Sequence, residues 1–372
     1  MANNVRLLFC KGVYMKKVLV GMSGGVDSSV AALLLKERGF DVTGVTLKLF
    51  SDEDIADALT EGKTCCALSD AEDARKAAEK LGIVHHIFDF REFFRERVMK
   101  KFADCYISGK TPNPCIECNR HIKFGHMLER ALEMGFDGIA TGHYAVSEYD
   151  AHSGRWLLKR PKDRSKDQTY VLYSLTQEQL AHTVFPLGEL EKTQVRELAQ
   201  KAVLGNSDKP DSQDICFVPD GDYASFIMRH TGYVPISGNF TDMDGKILGQ
   251  HKGIINYTVG QRKGLGIALG HPAYVVKKDI ENNTVTLGLE ADLYTNSLIA
   301  DDFNLISAAE LSQPMRVTAK TRYSQKEQPA VLSYLGNGEY LVEFDQPQRA
   351  VTSGQAVVLY DGDIVVGGGT IK

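Results

Sequence analysis

Two sets of residues in this 372-residue chain have the types and spacing for chemistry. The first is VLVGMSGGVDSS at 18–29, an apolar run that breaks into a glycine and serine turn and re-emerges at helical spacing. Read as strand, loop and helix N-terminus, it is an anion site: Gly24 and Gly25 take backbone angles closed to other residues and let a ligand approach the main chain, while Ser28 and Ser29 open the helix. Phosphate is the expected guest. The loop lacks the Gly-Lys-Ser/Thr of a Walker A and is not G-x-G-x-x-G. The second set is TPNPCIECN at 111–119, with Cys115 and Cys118 on a turn leading into a helix expected over Asn119–Met134. Amides at a helix N-terminus favour thiolate, which makes Cys118 a candidate nucleophile. A C-x-x-C has three readings: a redox pair, half of a metal site, or one working thiol with a bystander. A four-cysteine zinc site needs a second such pair, and Cys10, Cys65, Cys66, Cys105 and Cys216 offer none. The adjacent Cys65 and Cys66 cannot easily chelate one ion together and read as packing residues.

The elements that must position these residues fit two or three domains with a sizeable core, and 43% hydrophobic with 24% charged residues is ordinary globular composition. Net charge is −5, so any nucleic-acid contact must use local basic patches. No apolar run approaches the roughly 20 residues of a membrane span. Seven cysteines, an odd number, suit a reducing, cytoplasmic setting better than a disulfide scaffold. Residues 1–14 read as a flexible extension ahead of a natural start at Met15, too short in apolar character for a signal peptide.

From residue 15 to about 210, strands alternate with helices: Ser28–Arg38 and the helix opened by the capping box at Ser69 and Glu72, with strands over Asp41–Leu49, Ile83–Phe88 and from Phe136. This is an α/β doubly wound parallel sheet, whose ligands gather at the carboxyl ends of its strands, and it places the 21–28 loop and Gly142-His143 on one rim. RWLLKRPKDRSK at 155–166, six basic residues against one acid before allowing for its ends, abuts that rim and reads as an RNA-facing patch. Residues 211–272 read as a small, mostly β central domain carrying Cys216, and 273–372, with period-2 strands meeting at turns such as Gly336-Asn337-Gly338, as an antiparallel β-barrel.

Taken together, GMSGGVDS at 21–28, TPNPCIECN at 111–119 with IKF at 122–124, ATGHY at 140–144, KDQTY at 166–170 and DSQDICF at 211–217 closely resemble the tRNA-specific 2-thiouridylases of the ATP pyrophosphatase superfamily. The match runs in order from about Lys17 to Gly367–Gly369. The resemblance implies replacement of O2 of the wobble uridine, position 34 of tRNA, by sulfur, with ATP and Mg²⁺ as cofactors, tRNA and a persulfide sulfur-donor protein as partners, and a barrel that grips tRNA. Carried over by position, Gly21, Met22, Ser23, Gly24, Gly25, Val26, Asp27, Ser28, Leu47 and Gly142 would bind ATP, with Asp27 near Mg²⁺. Cys118 matches the nucleophile and Cys216 the persulfide carrier, and a disulfide bond belongs to the implied features. Asn113, Pro114 and Cys115 match the target-base segment, and His143, Lys166, Asp167, Gln168, Arg322, Tyr323 and Gln355 match tRNA-contacting positions. Some members have Asp where this chain has Cys115, which leaves open an iron–sulfur cluster on Cys115, Cys118 and Cys216 with one open iron site.

The residues taken alone agree with that chemistry. A uracil O2 leaves poorly, so ATP would adenylate it and deliver pyrophosphate to the loop; the sulfur then needs a thiol carrier and the finishing step a second thiol. Asp211 and Asp214 flank Cys216 and read as solvated acids before proton-transfer groups. Two rivals remain: another pyrophosphatase-type synthetase acting on a small molecule, which needs no pair of loop cysteines, and a non-catalytic RNA-binding protein, which needs no pyrophosphate loop.

Overall fold

A computed structural model describes residues 9–10, 13–51, 54, 67–205 and 215–372. Asp211, Asp214, Cys65 and Cys66 lie outside the described residues. The apolar run at 18–20 becomes β1 (Lys17–Gly21), with Val18, Leu19 and Val20 fully buried. Burial on both faces is what a continuous rather than alternating apolar strand requires. Around it, β2 (Asp41–Lys48), β3 (Val84–Asp89), β4 (Gly138–Thr141) and β5 (Thr183–Val184) form an all-parallel sheet in the order β3-β2-β1-β4-β5. The chain leaves β1 through α1 (Val26–Glu37) toward one side of the sheet and returns to the other side at β4. A crevice therefore opens beyond the carboxyl ends of β1 and β4, the switch point where such sheets bind ligands. Gly21 pairs with Thr141 across it, so residues 22–28 and 142–144 share the rim.

Two longer helical segments, 91–107 and 114–133, cover one face, and each contains a π-helical stretch, Arg95–Met99 and Cys118–His126. The second begins five residues before the expected Asn119. Pro114 takes the first helical position, where its missing N–H costs nothing, and Asn113 caps the helix by accepting from the Cys115 amide at 3.1 Å. Phe94, Phe102, Phe217 and Phe226 form an aromatic cluster, with Phe217 5.4 Å from Phe102 and 5.6 Å from Phe94.

The strands Tyr274–Asp279 and Thr284–Gly288, expected to open the barrel at 273, instead complete a four-stranded sheet with Gly238–Thr241 and Ile247–His251. Thr284–Gly288 runs parallel to Gly238–Thr241, a pairing that sequence alternation cannot announce. The barrel starts at β6 (Tyr294–Leu305) and continues through β7 (Met315–Lys320), β8 (Gln328–Gly336), β9 (Glu339–Arg349), β10 (Ala356–Asp361) and β11 (Ile364–Ile371). It closes in the order β6-β9-β8-β7-β10-β11, with β11 pairing back onto β6. Gly368 is required on β11, because a Cβ there would stand 2.7 Å from the Tyr173 ring of the first domain.

The basic run at 155–166 is not an open patch. Its hairpin, Val146–Asp150 with Arg155–Lys159, joins β11 through Lys159 and Ile364. Arg155 donates to the Ile306 and Leu305 carbonyls at 2.8 and 3.2 Å, Arg160 to Glu327 at 2.7 Å, and Arg164 to Asp363. Lys159 pairs with Glu148 at 2.9 Å and Lys162 with Glu191 at 3.6 Å. Arg155, Arg160 and Arg164 tie the first domain to the barrel, and Glu148, Glu191, Glu327 and Asp363 pair with charges of the run, of which Lys162 and Arg164 stay about half exposed. Replacing Lys159 and Lys162 together by Ala should therefore leave the log–log salt slope of tRNA binding within about half a unit, against the roughly 1.4–1.8 expected if each met a phosphate. Filter binding from low to moderate salt checks this.

Candidate functional site

The phosphate loop is shaped from within. Ser28 Oγ accepts from the Ser23 amide at 3.1 Å, and the Ser28 and Ser29 hydroxyls each donate to the Gly25 carbonyl at 3.1 Å. Gly25 is the N-cap of α1 and supplies no side chain to the first amides of the helix, which leaves them for an anion. Gly24 has φ +74°, and a Cβ there would stand 2.3 Å from the Asp70 carbonyl of α2 (Ala67–Leu81). Met22 and Val26 are buried beneath the loop, and Leu47, near the end of β2, packs against the core under the same rim. Across the crevice a Cβ on Gly142 would lie 2.7 Å from the Ser28 amide nitrogen. Gly142→Ala should push the α1 N-terminus off its geometry and cut ATP cleavage by about 10²-fold, as an ångström-scale misplacement does. Pyrophosphate release on a folded variant, with circular dichroism as the control, measures it.

Asp27, in the first turn of α1, is held by a residue that sequence reading missed. Lys192 Nζ lies 2.8 Å from both Asp27 carboxylate oxygens, and the Tyr144 hydroxyl donates to Oδ1 at 2.9 Å. Lys192 opens the helix Lys192–Lys201 and is only 8% exposed. The signal was present: Lys192, Val195 and Ala199 are the buried residues of that helix, at i, i+3 and i+7, and a lysine on an apolar stripe needs a buried partner.

Cys118 is buried in the second turn of its helix rather than at the N-terminus, and its thiol is pushed up to about 11 by burial, with Cys115 adding and Lys123 opposing. The expected thiolate bias from terminal amides is thus overturned, because Asn113 and Pro114 move the terminus a turn earlier. Cys115 occupies the second helical position and is exposed, its thiol raised by the atoms packed around the sulfur. Cys216 lies on an exposed turn pinned by the buried Phe217, and its thiol is also raised, first by packing around the sulfur and then by Cys118 and Cys115. Phe217 packs on Phe94 and Phe102, and Cys118 and Cys115 lie near enough to raise the Cys216 thiol, so the turn carrying Cys216 sits beside the helix carrying the other two. Among the described residues Cys105, Cys115, Cys118 and Cys216 are free thiols, so none of these four forms the implied disulfide. Among the described residues no three of His, Cys, Asp and Glu converge closely enough to hold a metal ion, so the three cysteines are not a preformed cluster site. One residue before Cys118, Glu117 receives Lys101 Nζ at 2.8 Å and faces His121 Nε2 at 3.3 Å. Burial alone would raise its pKa, but these partners hold it below the usual carboxylate range.

Comparison with known proteins decides the family. Residues 16–220 match the model described as tRNA methyl transferase HUP domain, 224–289 the tRNA methyl transferase PRC-barrel domain and 295–371 the aminomethyltransferase beta-barrel domain. The chain is 56% identical over 357 residues to the tRNA-specific 2-thiouridylase MnmA of Acetivibrio thermocellus, covering 96% of this chain and 99% of that one. It is 53% identical to the protein of the same name from Clostridioides difficile, over 96% and 98% of the two chains. The chain belongs to the tRNA-specific 2-thiouridylase family. In this member the positions matched to tRNA contacts are largely engaged within the protein. His143 is buried between Phe124 and Phe185, with Nδ1 2.8 Å from Thr141 Oγ1, and burial keeps its pKa well below the ordinary value. Gln168 accepts from the Tyr144 amide at 2.8 Å, Asp167 from the Thr169 amide at 2.9 Å, and Lys166 sits in the short turn Arg164–Lys166. Arg322 donates to the Val259 and Ala350 carbonyls and to Thr352 Oγ1, which docks the small sheet onto the barrel. Gln355 donates to the Thr111 carbonyl at 3.0 Å and ties the barrel to the cysteine loop. Tyr323 is 45% exposed, with its ring 6.0 Å from Tyr170 and near enough to Cys115 for that thiol to raise its pKa after burial and Asp167.

Proposed function

We propose that this chain carries out ATP-dependent 2-thiolation of uridine 34 in tRNA. The observation that carries the reading is the helical segment 114–133, which holds Cys118 in its second turn while Phe124, six residues further along, packs on His143 beside the phosphate rim. A nucleobase adenylated on O2 fits that span, with phosphates at α1 and C2 toward the thiols. Tyr323, exposed above Cys115, offers an aromatic face for an unstacked base.

The loop amides and Gly142 would receive ATP, and Asp27, released from Lys192, would hold Mg²⁺, which screens charge on the phosphates. Lys192 is then placed to neutralise the departing pyrophosphate. O2 attacks the α-phosphorus and pyrophosphate leaves. The terminal sulfur of a Cys216 persulfide, supplied by a persulfide-bearing donor protein, attacks C2 and expels AMP with loss of the sulfhydryl proton. The Cys118 thiolate then attacks the Cys216 sulfur, forms the Cys118–Cys216 bond and frees the 2-thiouridine. No step runs through an iron–sulfur cluster. Free thiols at the described cysteines suit the reducing conditions of cytoplasm.

Methyl transfer, named in the description of the matching model, needs neither a pyrophosphate loop nor paired thiols. Pyrophosphate release measured with and without tRNA tests the reading. Release that depends on tRNA supports it; release driven by a small acid or amine without tRNA, or none at all, would favour the synthetase or the binding-protein alternative.

A further inference from the structure

We infer that Cys115 is the discharging thiol of the cycle: it takes over the disulfide left between Cys118 and Cys216, frees Cys216 for the next persulfide, and presents the bond at the surface. The inference rests on the thiolation reading and goes beyond it by giving a working part to a cysteine that the two-thiol scheme leaves idle.

Three observations lead here. Cys115 and Cys118 are three apart on one helix, which brings their side chains to about 5–6 Å and within reach of a bridge after a small shift. Their exposures differ: Cys115 is an exposed residue whose sulfur is partly packed, while Cys118 is 9% exposed, so a reductant in solution reaches the first more readily than the second. That is the division of labour a C-x-x-C pair uses when its outer sulfur trades with partners and its inner sulfur closes the bond. The third is that the cysteines do not converge as a ligand set, whereas pairwise exchange needs only two sulfurs to meet at a time.

The exchange balances without an added oxidant. Cys115 thiolate attacks the Cys118 sulfur of the Cys118–Cys216 disulfide; the Cys115–Cys118 bond forms, and Cys216 leaves as thiolate and takes up a proton. Two-electron reduction by a dithiol then returns Cys115 and Cys118 to thiols. Because Cys118 is common to both bonds and Cys115 shares its helix, the step is intramolecular and is favoured over attack by a reductant from solution.

The test uses the intact protein in one turnover with tRNA, ATP, Mg²⁺ and Cys216 preloaded as persulfide, without reductant, followed by acid quench, alkylation and non-reducing peptide mapping. The expected map joins Cys115 to Cys118 and finds Cys216 alkylated. In Cys115→Ser the map should join Cys118 to Cys216, and the ratio of first-turnover to steady-state rate, with a limiting dithiol, should rise about tenfold. A wild-type map that joins only Cys118 to Cys216, or an unchanged ratio in the variant, overturns the inference. So does visible absorbance with bound iron that is lost in Cys115→Ser, since the cysteine would then be a ligand. If the thiolation reading itself is wrong, no 2-thiouridine forms in that single turnover, which separates the two failures.

Discussion

Cys216→Ser should abolish 2-thiouridine formation, a fall of about 10³-fold or more, while leaving tRNA-dependent pyrophosphate release within a few-fold of the parent. The substitution removes the sulfur carrier but leaves the α1 loop intact, and Phe217 still holds the turn between Phe94 and Phe102. Adenylation precedes sulfur transfer, so its product should be formed and then hydrolysed. Cys118→Ser should fail one step later, with sulfur already on C2 and tethered to Cys216. Non-reducing gels would show that variant, and not Cys216→Ser, carrying tRNA released by dithiol. Nucleoside analysis and pyrophosphate release on the same samples distinguish the steps, and undiminished thiouridine from Cys216→Ser would remove it from the carrier role.

Asp27→Asn should lose adenylation and stability together. It leaves the Lys192 ammonium, 8% exposed, with only a neutral amide where a carboxylate stood 2.8 Å away. Removing one partner of a buried pair costs several kcal/mol, and because the Asp27 side chain keeps 28% of its exposure, about 2 kcal/mol is expected here. Asp27→Asn with Lys192→Met should recover most of that loss, since no charge is then stranded, yet restore no pyrophosphate release, because both the metal carboxylate and the phosphate cation are gone. Urea unfolding and pyrophosphate release on the two variants provide the measurement. Recovery of activity along with stability would make the pair structural rather than functional.

What the sequence made legible follows how local each signal is. The run at 18–20 announced a buried parallel strand and the glycines after it a turn into α1, because both signals reside in a dozen neighbouring residues; of the two glycines expected to take unusual backbone angles only Gly24 does, at φ +74°, while Gly25 is extended at φ −84°. The cap formed by Asn113 and Pro114 was equally local, yet the cysteines drew the helix start to Asn119 and with it the wrong electrostatics for Cys118. The run at 155–166 misled for the opposite reason. Its sign was visible, but Glu327 and Asp363, which neutralise Arg160 and Arg164, lie more than 150 residues away and meet them only after the barrel docks. The same distance hid the link from Gln355 to Thr111, and a separation of 45 residues was enough to hide the parallel pairing of Thr284–Gly288 with Gly238–Thr241, which shifts the start of the barrel from 273 to 294.

The central claim, that one rim couples ATP cleavage to sulfur transfer onto uridine, is tested most directly by a single reaction. Purified protein is supplied with ATP, Mg²⁺, unmodified tRNA bearing uridine at position 34 and a persulfide donor, and AMP, pyrophosphate and 2-thiouridine are counted together. The account predicts equal yields of all three and none of them without tRNA. Pyrophosphate released freely in the absence of tRNA, or 2-thiouridine formed without ATP cleavage, would contradict it.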